Sequence, residues 1–237
     1  MTSLLLLLLG CDEIDALLVG VADPDVAEGL VLGVRTPPEL DLTGTDYGNG
    51  GAAAAYLTTL GDEPNADGTL ALLSESAGNV AMRHEEDGVW ATPPGLAFTY
   101  TVGDTYILQR DGSEILRAEA APAAAVSVPS VHATGAALSL DAGDADFDSV
   151  MAVVLNLDTG AETWSNAPGE AGAAYELLIE EPILAFDIPG EAFAASGHYA
   201  VGVAGIRVND ADEVTDVNSL ASLMGTGLLE FRAVTVE

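Results

Sequence analysis

An all-β fold of two consecutive β-sandwich domains is the architecture this sequence predicts, and three observations predict it. Gly, Pro, Asn and Asp punctuate the chain about every eight to twelve residues, with short apolar or alternating runs between them. No long stretch carries a 3.6-residue apolar period. The 237 residues are 49% hydrophobic, enough for a large core and too apolar for a disordered acidic chain, and the length suits one large domain or two ordinary ones. The expected division is residues 1–10, a processing segment; 11–28, an acidic tether; 29–121, the first sandwich; and 126–237, the second. Between the sandwiches lies the Ala-Pro-rich stretch Ala118–Pro129, read as a short extended linker or crossover strand.

The N-terminus reads Met-Thr-Ser, six leucines from Leu4 to Leu9, then Gly10-Cys11-Asp12-Glu13. Six apolar residues cannot span a bilayer, which takes about 20. Cys11 is the only cysteine, so neither a disulfide framework nor a cysteine zinc site can form within one chain. Leu8-Leu9-Gly10-Cys11 resembles the lipobox of bacterial lipoproteins. That resemblance implies cleavage before Cys11, acylation of Cys11, and a place in a bacterial cell envelope, lipid-anchored on its periplasmic or cell-surface face. The other reading of the same residues is an N-terminal core strand with a buried free thiol.

In the first domain the candidate strands are residues 30–34, 52–59, 69–73, 80–83 and 89–91. Residues 104–117 read as a β-hairpin, because Asp111-Gly112 supplies the two positive-φ positions of a type I′ turn. Asp87-Gly88-Val89-Trp90, followed by Tyr100-Thr101-Val102-Gly103-Asp104-Thr105-Tyr106, resembles transthyretin-like regulatory sandwiches over about twenty residues. It implies a binding or spacer module and brings no catalytic residues.

In the second domain the runs 136–140, 150–157, 161–164, 175–179, 183–187, 197–203 and 228–236 are candidate strands, with Asp158-Thr159-Gly160 as a turn. Gly197-His198-Tyr199-Ala200-Val201 resembles the tyrosine corner of immunoglobulin-like and fibronectin-III-like sandwiches. The resemblance implies that the Tyr199 ring packs at a sheet edge and its hydroxyl bonds upstream backbone. Residues 216–224 fit a short helix capped by Thr215 or Asp216 and stopped by Gly225.

Charge narrows the function. The chain holds 38 Asp and Glu against six cations, all Arg, for a net charge of −32. That field repels phosphate backbones and anionic headgroups, which excludes nucleic acid and electrostatic membrane docking as partners. It fits either a sodium-rich medium that screens the repulsion or a genome biased toward Ala and Asp.

Residue types for catalysis are poorly assembled. Without lysine there is no Ser-x-x-Lys, no Gly-x-Ser-x-Gly elbow occurs, and the glycines of Tyr47–Gly51 have no Lys to cradle phosphate. His84, His132 and His198 lie far apart and suggest surface or turn positions. Trp90 and Trp164, the only tryptophans, suggest core packing. No catalytic residue or cofactor is assigned.

The acidic clusters are the one candidate site. Asp144, Asp146 and Asp148 alternate along one loop, and Asp210 and Asp212 lie on the loop before the last strand; in a sandwich of this type both loops share one end. Spaced carboxylates are the ligands a Ca²⁺ ion takes, although the run lacks the EF-hand Gly and Glu. The plain alternative is a solvated acidic rim. Glu63–Gly68 likewise starts like a calcium loop, and its simpler reading is a turn. The expected function is thus a non-catalytic, envelope-anchored binding, adhesion or structural module, held to the membrane by its lipid and facing an envelope protein or surface ligand. A calcium-dependent ligand-binding module and a carboxylate-based hydrolase are the alternatives.

Overall fold

The computed structural model describes residues 25–42, 49–59, 63–85, 87–93, 97–142, 147–166, 183–210 and 222–237. The fold is all-β, and among the described residues the only helical element is a 3-10 turn at Gly190–Phe193. Among the described residues fifteen strands form three sheets of nine, two and four strands.

The C-terminal half has the strand order of an immunoglobulin-like sandwich. One sheet runs β12 (Ala161–Ser165), β11 (Ser149–Asn156), β14 (Gly197–Asp210), β15 (Leu223–Val236), with β9 (Val131–His132) parallel to the end of β15. The facing pair is β10 (Leu138–Asp141) with β13 (Ala185–Ile188). Alternation along each strand aims one set of side chains at the space between the sheets. Val150, Ala152 and Val154 of β11, Tyr199, Val201 and Val203 of β14, and Val234 and Val236 of β15 meet Leu138, Leu140, Ile188 and Phe193 there.

The N-terminal half is a second sandwich. β1 (Val26–Arg35), β2 (Gly50–Thr58), β6 (Val89–Ala91) and β5 (Arg83–His84) face β4 (Gly78–Ala81), β3 (Leu70–Ser74), β7 (Thr105–Arg110) and β8 (Ser113–Glu119). Ala27, Val31, Leu57, Trp90, Leu72, Tyr106, Leu108 and Leu116 fill the space between. The β7–β8 turn is the expected one, with φ of 51° at Asp111 and 86° at Gly112. Gly33 leaves room for Tyr100: a Cβ there would stand 2.3 Å from the ring. The Tyr100 hydroxyl then donates to the carbonyl of Ala121 at 3.0 Å.

Several boundaries differ from the sequence reading. The halves do not own separate sheets, because β1 pairs in parallel with β15 from Glu28↔Leu223 to Arg35↔Glu230, joining both halves into the nine-stranded sheet. Val26–Glu28, read as tether, belong to β1. Leu223 and Met224, read as the end of a helix, begin β15, because pairing with β1 and β14 on its two sides satisfies their backbone as strand. The Ala-Pro stretch is a crossover: Ala120, Ala121 and Ala124 are buried. Small side chains let its backbone lie against β15, where Ala121 N–H donates to Thr226 Oγ1 at 3.1 Å and Thr226 Oγ1 donates to the carbonyl of Glu119 at 2.7 Å. The candidate strand 175–179 lies outside the described residues.

The face of the nine-stranded sheet turned away from both sandwich cores is also apolar. Met151, Val153 and Leu155, Ala200, Ala204 and Ile206, and Leu229 and Phe231 form a buried layer with Leu40 and Leu42 packed on it.

Candidate functional site

Of the acidic residues singled out as metal ligands, Asp144, Asp146 and Asp212 lie outside the described residues, as does Cys11. Asp210 ends β14 in register with Leu223. Asp148 is held against the same strand. Its N–H donates to the carbonyl of Ile206 at 2.8 Å, and its Oδ2 accepts the N–H of Val208 at 2.7 Å. Phe147 seats this end of the loop by packing on the second core with its ring over Gly205. The Arg207 guanidinium carbon stands 5.7 Å from the centroid of that ring. Asp148 and Asp210, the described residues that bound the two loops, therefore lie at one end of the sheet. One oxygen of Asp148 serves the backbone there. Among the described residues no three His, Cys, Asp or Glu side chains come together as a metal site.

The second calcium-like run, Glu63–Gly68, is organised by a guanidinium. Arg110, at the end of β7, donates from Nη2 to Asn65 Oδ1 at 3.1 Å and from Nε to the carbonyl of Asp67 at 3.2 Å. Its Nη1 bonds the carboxylate of Asp25, the residue before β1. A planar, permanently charged fork with several donors suits this task. Nothing local in the sequence pairs Arg110 with Asp25, so sequence reasoning missed the contact.

The histidines, the tryptophans and Asp104 make contacts within the fold. Asp158 accepts the backbone N–H of His198 at 2.9 Å and lies 3.2 Å from its Nδ1; those hydrogen bonds hold the Asp158 carboxyl below the usual carboxylate range. His132 Nε2 sits 2.9 Å from the carbonyl of Ala136, with its ring on the edge of Phe193. His84 packs against Trp90, which is buried, while Trp164 is half-buried and stacks on Phe186. Burial pushes the Asp104 carboxyl up, but the hydroxyl and N–H of Ser76, at 2.5 and 2.9 Å, more than offset that and leave it lowered. This contact ties the β3–β4 turn to the start of β7.

One carboxyl stands apart. Glu28 of β1 has Tyr56 and Leu223 as register partners, and its Oε2 is buried without a hydrogen-bond partner. Burial pushes its pKa up to about 7.

No protein-family model matches this chain, and no curated protein matches it. A solved structure, the Yersinia pseudotuberculosis adhesin InvE, aligns over 87% of this chain and 58% of its own length at 10% identity, with a TM-score of 0.25. At that score the likeness assigns neither function nor partner.

Proposed function

We propose that this chain is a non-catalytic, lipid-anchored module of a bacterial cell envelope that serves in binding, adhesion or spacing. The observation supporting this reading is the parallel pairing of β1 with β15. The strand that follows the tether is built into the central sheet of the C-terminal sandwich, so a load on either half passes through sheet hydrogen bonds. Parallel pairing also sets polarity. Asp25, where the tether joins, lies at the end of the sheet that carries Asp210 and Ser222. The opposite end of the C-terminal sandwich carries the turn Leu157–Gly160 and the C-terminal Glu237, and faces away from the membrane. Asp148 and Asp210 then lie at the end turned toward anionic headgroups, whose repulsion holds the module off the bilayer. Detergent-phase partition of the native protein and its Cys11→Ser variant tests the anchor. Partition that Cys11→Ser leaves unchanged, or an unmodified Met1 by intact mass, refutes it.

A second reading, calcium-dependent binding through Asp144, Asp146, Asp148, Asp210 and Asp212, is favoured by one contact. The Asp148–Val208 bond holds Asp148 two residues along β14 from Asp210.

A further inference from the structure

The link from β1 to β2 ends in an asparagine-glycine pair. Asn49 alone among the asparagines precedes glycine. Asn49 is exposed, and Gly50 begins β2, where it forms the last pair of the β1–β2 ladder with Val34. Ladder ends open more readily than ladder centres. Asn49 Oδ1 accepts the backbone N–H of Thr36, the residue after β1, at 2.8 Å. The side-chain amide is therefore held against the end of β1, while the neighbouring Gly50 comes free whenever the ladder end opens.

This arrangement suits an intramolecular reaction. The Gly50 nitrogen is placed by connectivity to close a succinimide ring on Asn49 Cγ. Gly50 has no Cβ to crowd the approach, and its φ of 153° is one that favours glycine. In the attack the amide proton leaves Gly50, a bond forms from its nitrogen to Cγ, and negative charge gathers on Oδ1. The Thr36 N–H already points at that oxygen, as a donor in an oxyanion hole does. The Cγ–Nδ2 bond then breaks, and Nδ2 takes up a proton and departs as ammonia. Water opens the ring at one of its two carbonyls. Opening at Cγ turns Asn49 into aspartate; opening at the main-chain carbonyl leaves isoaspartate, with the backbone rerouted through the side chain.

We propose that Asn49 is a site of spontaneous modification, cyclising onto Gly50 with the help of the Thr36 N–H and hydrolysing to aspartate and isoaspartate. Either product adds negative charge to a chain that already carries −32. The aspartate keeps an oxygen for Thr36. Isoaspartate inserts one more carbon into the backbone just before β2, which shifts Gly50 against Val34 and frays the end of the ladder. The reaction needs only water, and neither an anchor nor a ligand.

The test incubates the full chain in water labelled with heavy oxygen at mildly alkaline pH and follows every asparagine by peptide mass spectrometry. Label is expected at position 49 before any other asparagine, in both the aspartate and the isoaspartate form. Asn49→Gln, whose longer side chain closes its ring far more slowly, should take up little label there. Thr36→Pro removes the donor N–H ahead of Pro37-Pro38. It should slow the reaction roughly two- to tenfold, the factor that one net hydrogen bond supplies. Circular dichroism checks that this variant is folded; the native chain and Asn49→Gln decide the site without it. Asn49 that stays unlabelled, or that reacts after another asparagine, overturns the proposal. A folded Thr36→Pro that reacts as fast as the native chain, or faster, overturns the help assigned to Thr36.

Discussion

Tyr199 donates its phenolic hydrogen to the carbonyl of Ala195 at 3.0 Å, with its ring buried at 2% exposure against Phe193. The bond closes the link between β13 and β14 and fixes the angle at which β14 enters the central sheet. Tyr199→Phe should cost about 1 kcal/mol by leaving that carbonyl without its donor. Tyr199→Ala should cost about 3 kcal/mol or more by opening a cavity between the C-terminal sheets. Urea denaturation of both variants checks the ratio; an unchanged Tyr199→Phe would mean that the hydroxyl contributes nothing, and equal losses would mean that the ring contributes nothing beyond the hydroxyl.

Arg110 and Asp25 are both largely buried, with side-chain exposures of 19% and 16%. Removing the guanidinium leaves the Asp25 carboxylate, Asn65 and the Asp67 carbonyl without their donor. Arg110→Ala should therefore destabilise by about 3 kcal/mol, whereas Arg110→Ala in an Asp25→Asn background should cost clearly less. Arg110→Lys should recover only part of the loss, since an ammonium cannot reach three acceptors in the guanidinium's plane. A double-mutant cycle by chemical denaturation measures the coupling.

Glu28 makes stability depend on pH. Its folded pKa, about 7, lies above the ordinary value of 4.5. Between those values the unfolded chain releases the proton and the folded chain keeps it. The folded state thus binds more protons, and stability falls as pH rises from about 4.5 to 7, then levels. Glu28→Gln should flatten that slope and raise stability at pH 8 by about 1–2 kcal/mol, less than the full shift implies because the carboxyl keeps some solvent contact. Melting temperatures at pH 5 and pH 8 for both proteins provide the comparison.

Calcium binding at the acidic end has its own signature. A cation at about a hundred times its dissociation constant, bound only by the folded state, adds roughly 2.7 kcal/mol. The gain should occur with millimolar CaCl₂, persist in high NaCl and vanish in Asp146→Asn. Equal stabilisation by NaCl at matched ionic strength would mark the loops as a solvated rim.

The residues that revealed the fold act locally. Turn chemistry at Asp111-Gly112 and alternation in Leu138–Asp141 are visible within a few positions, because φ preference and side-chain period belong to the residues themselves. The tyrosine corner was legible for the same reason, since donor and acceptor lie four residues apart. The acidic loops were legible as composition, and sandwich topology placed Asp148 beside β14.

The tertiary structure alone decided how the halves combine. The sequence determined an all-β chain, two apolar cores and an acidic surface. It held no sign that β1 would pair with β15, since strand hydrogen bonds are made by backbone groups that every non-proline residue carries. Glu28 and Leu223 stand 195 positions apart, and neither side chain names the other. Arg110 with Asp25 and Tyr100 over Gly33 are likewise meetings of distant residues. Each depends on the shape of the packed chain, a property of the whole that no local window of sequence contains.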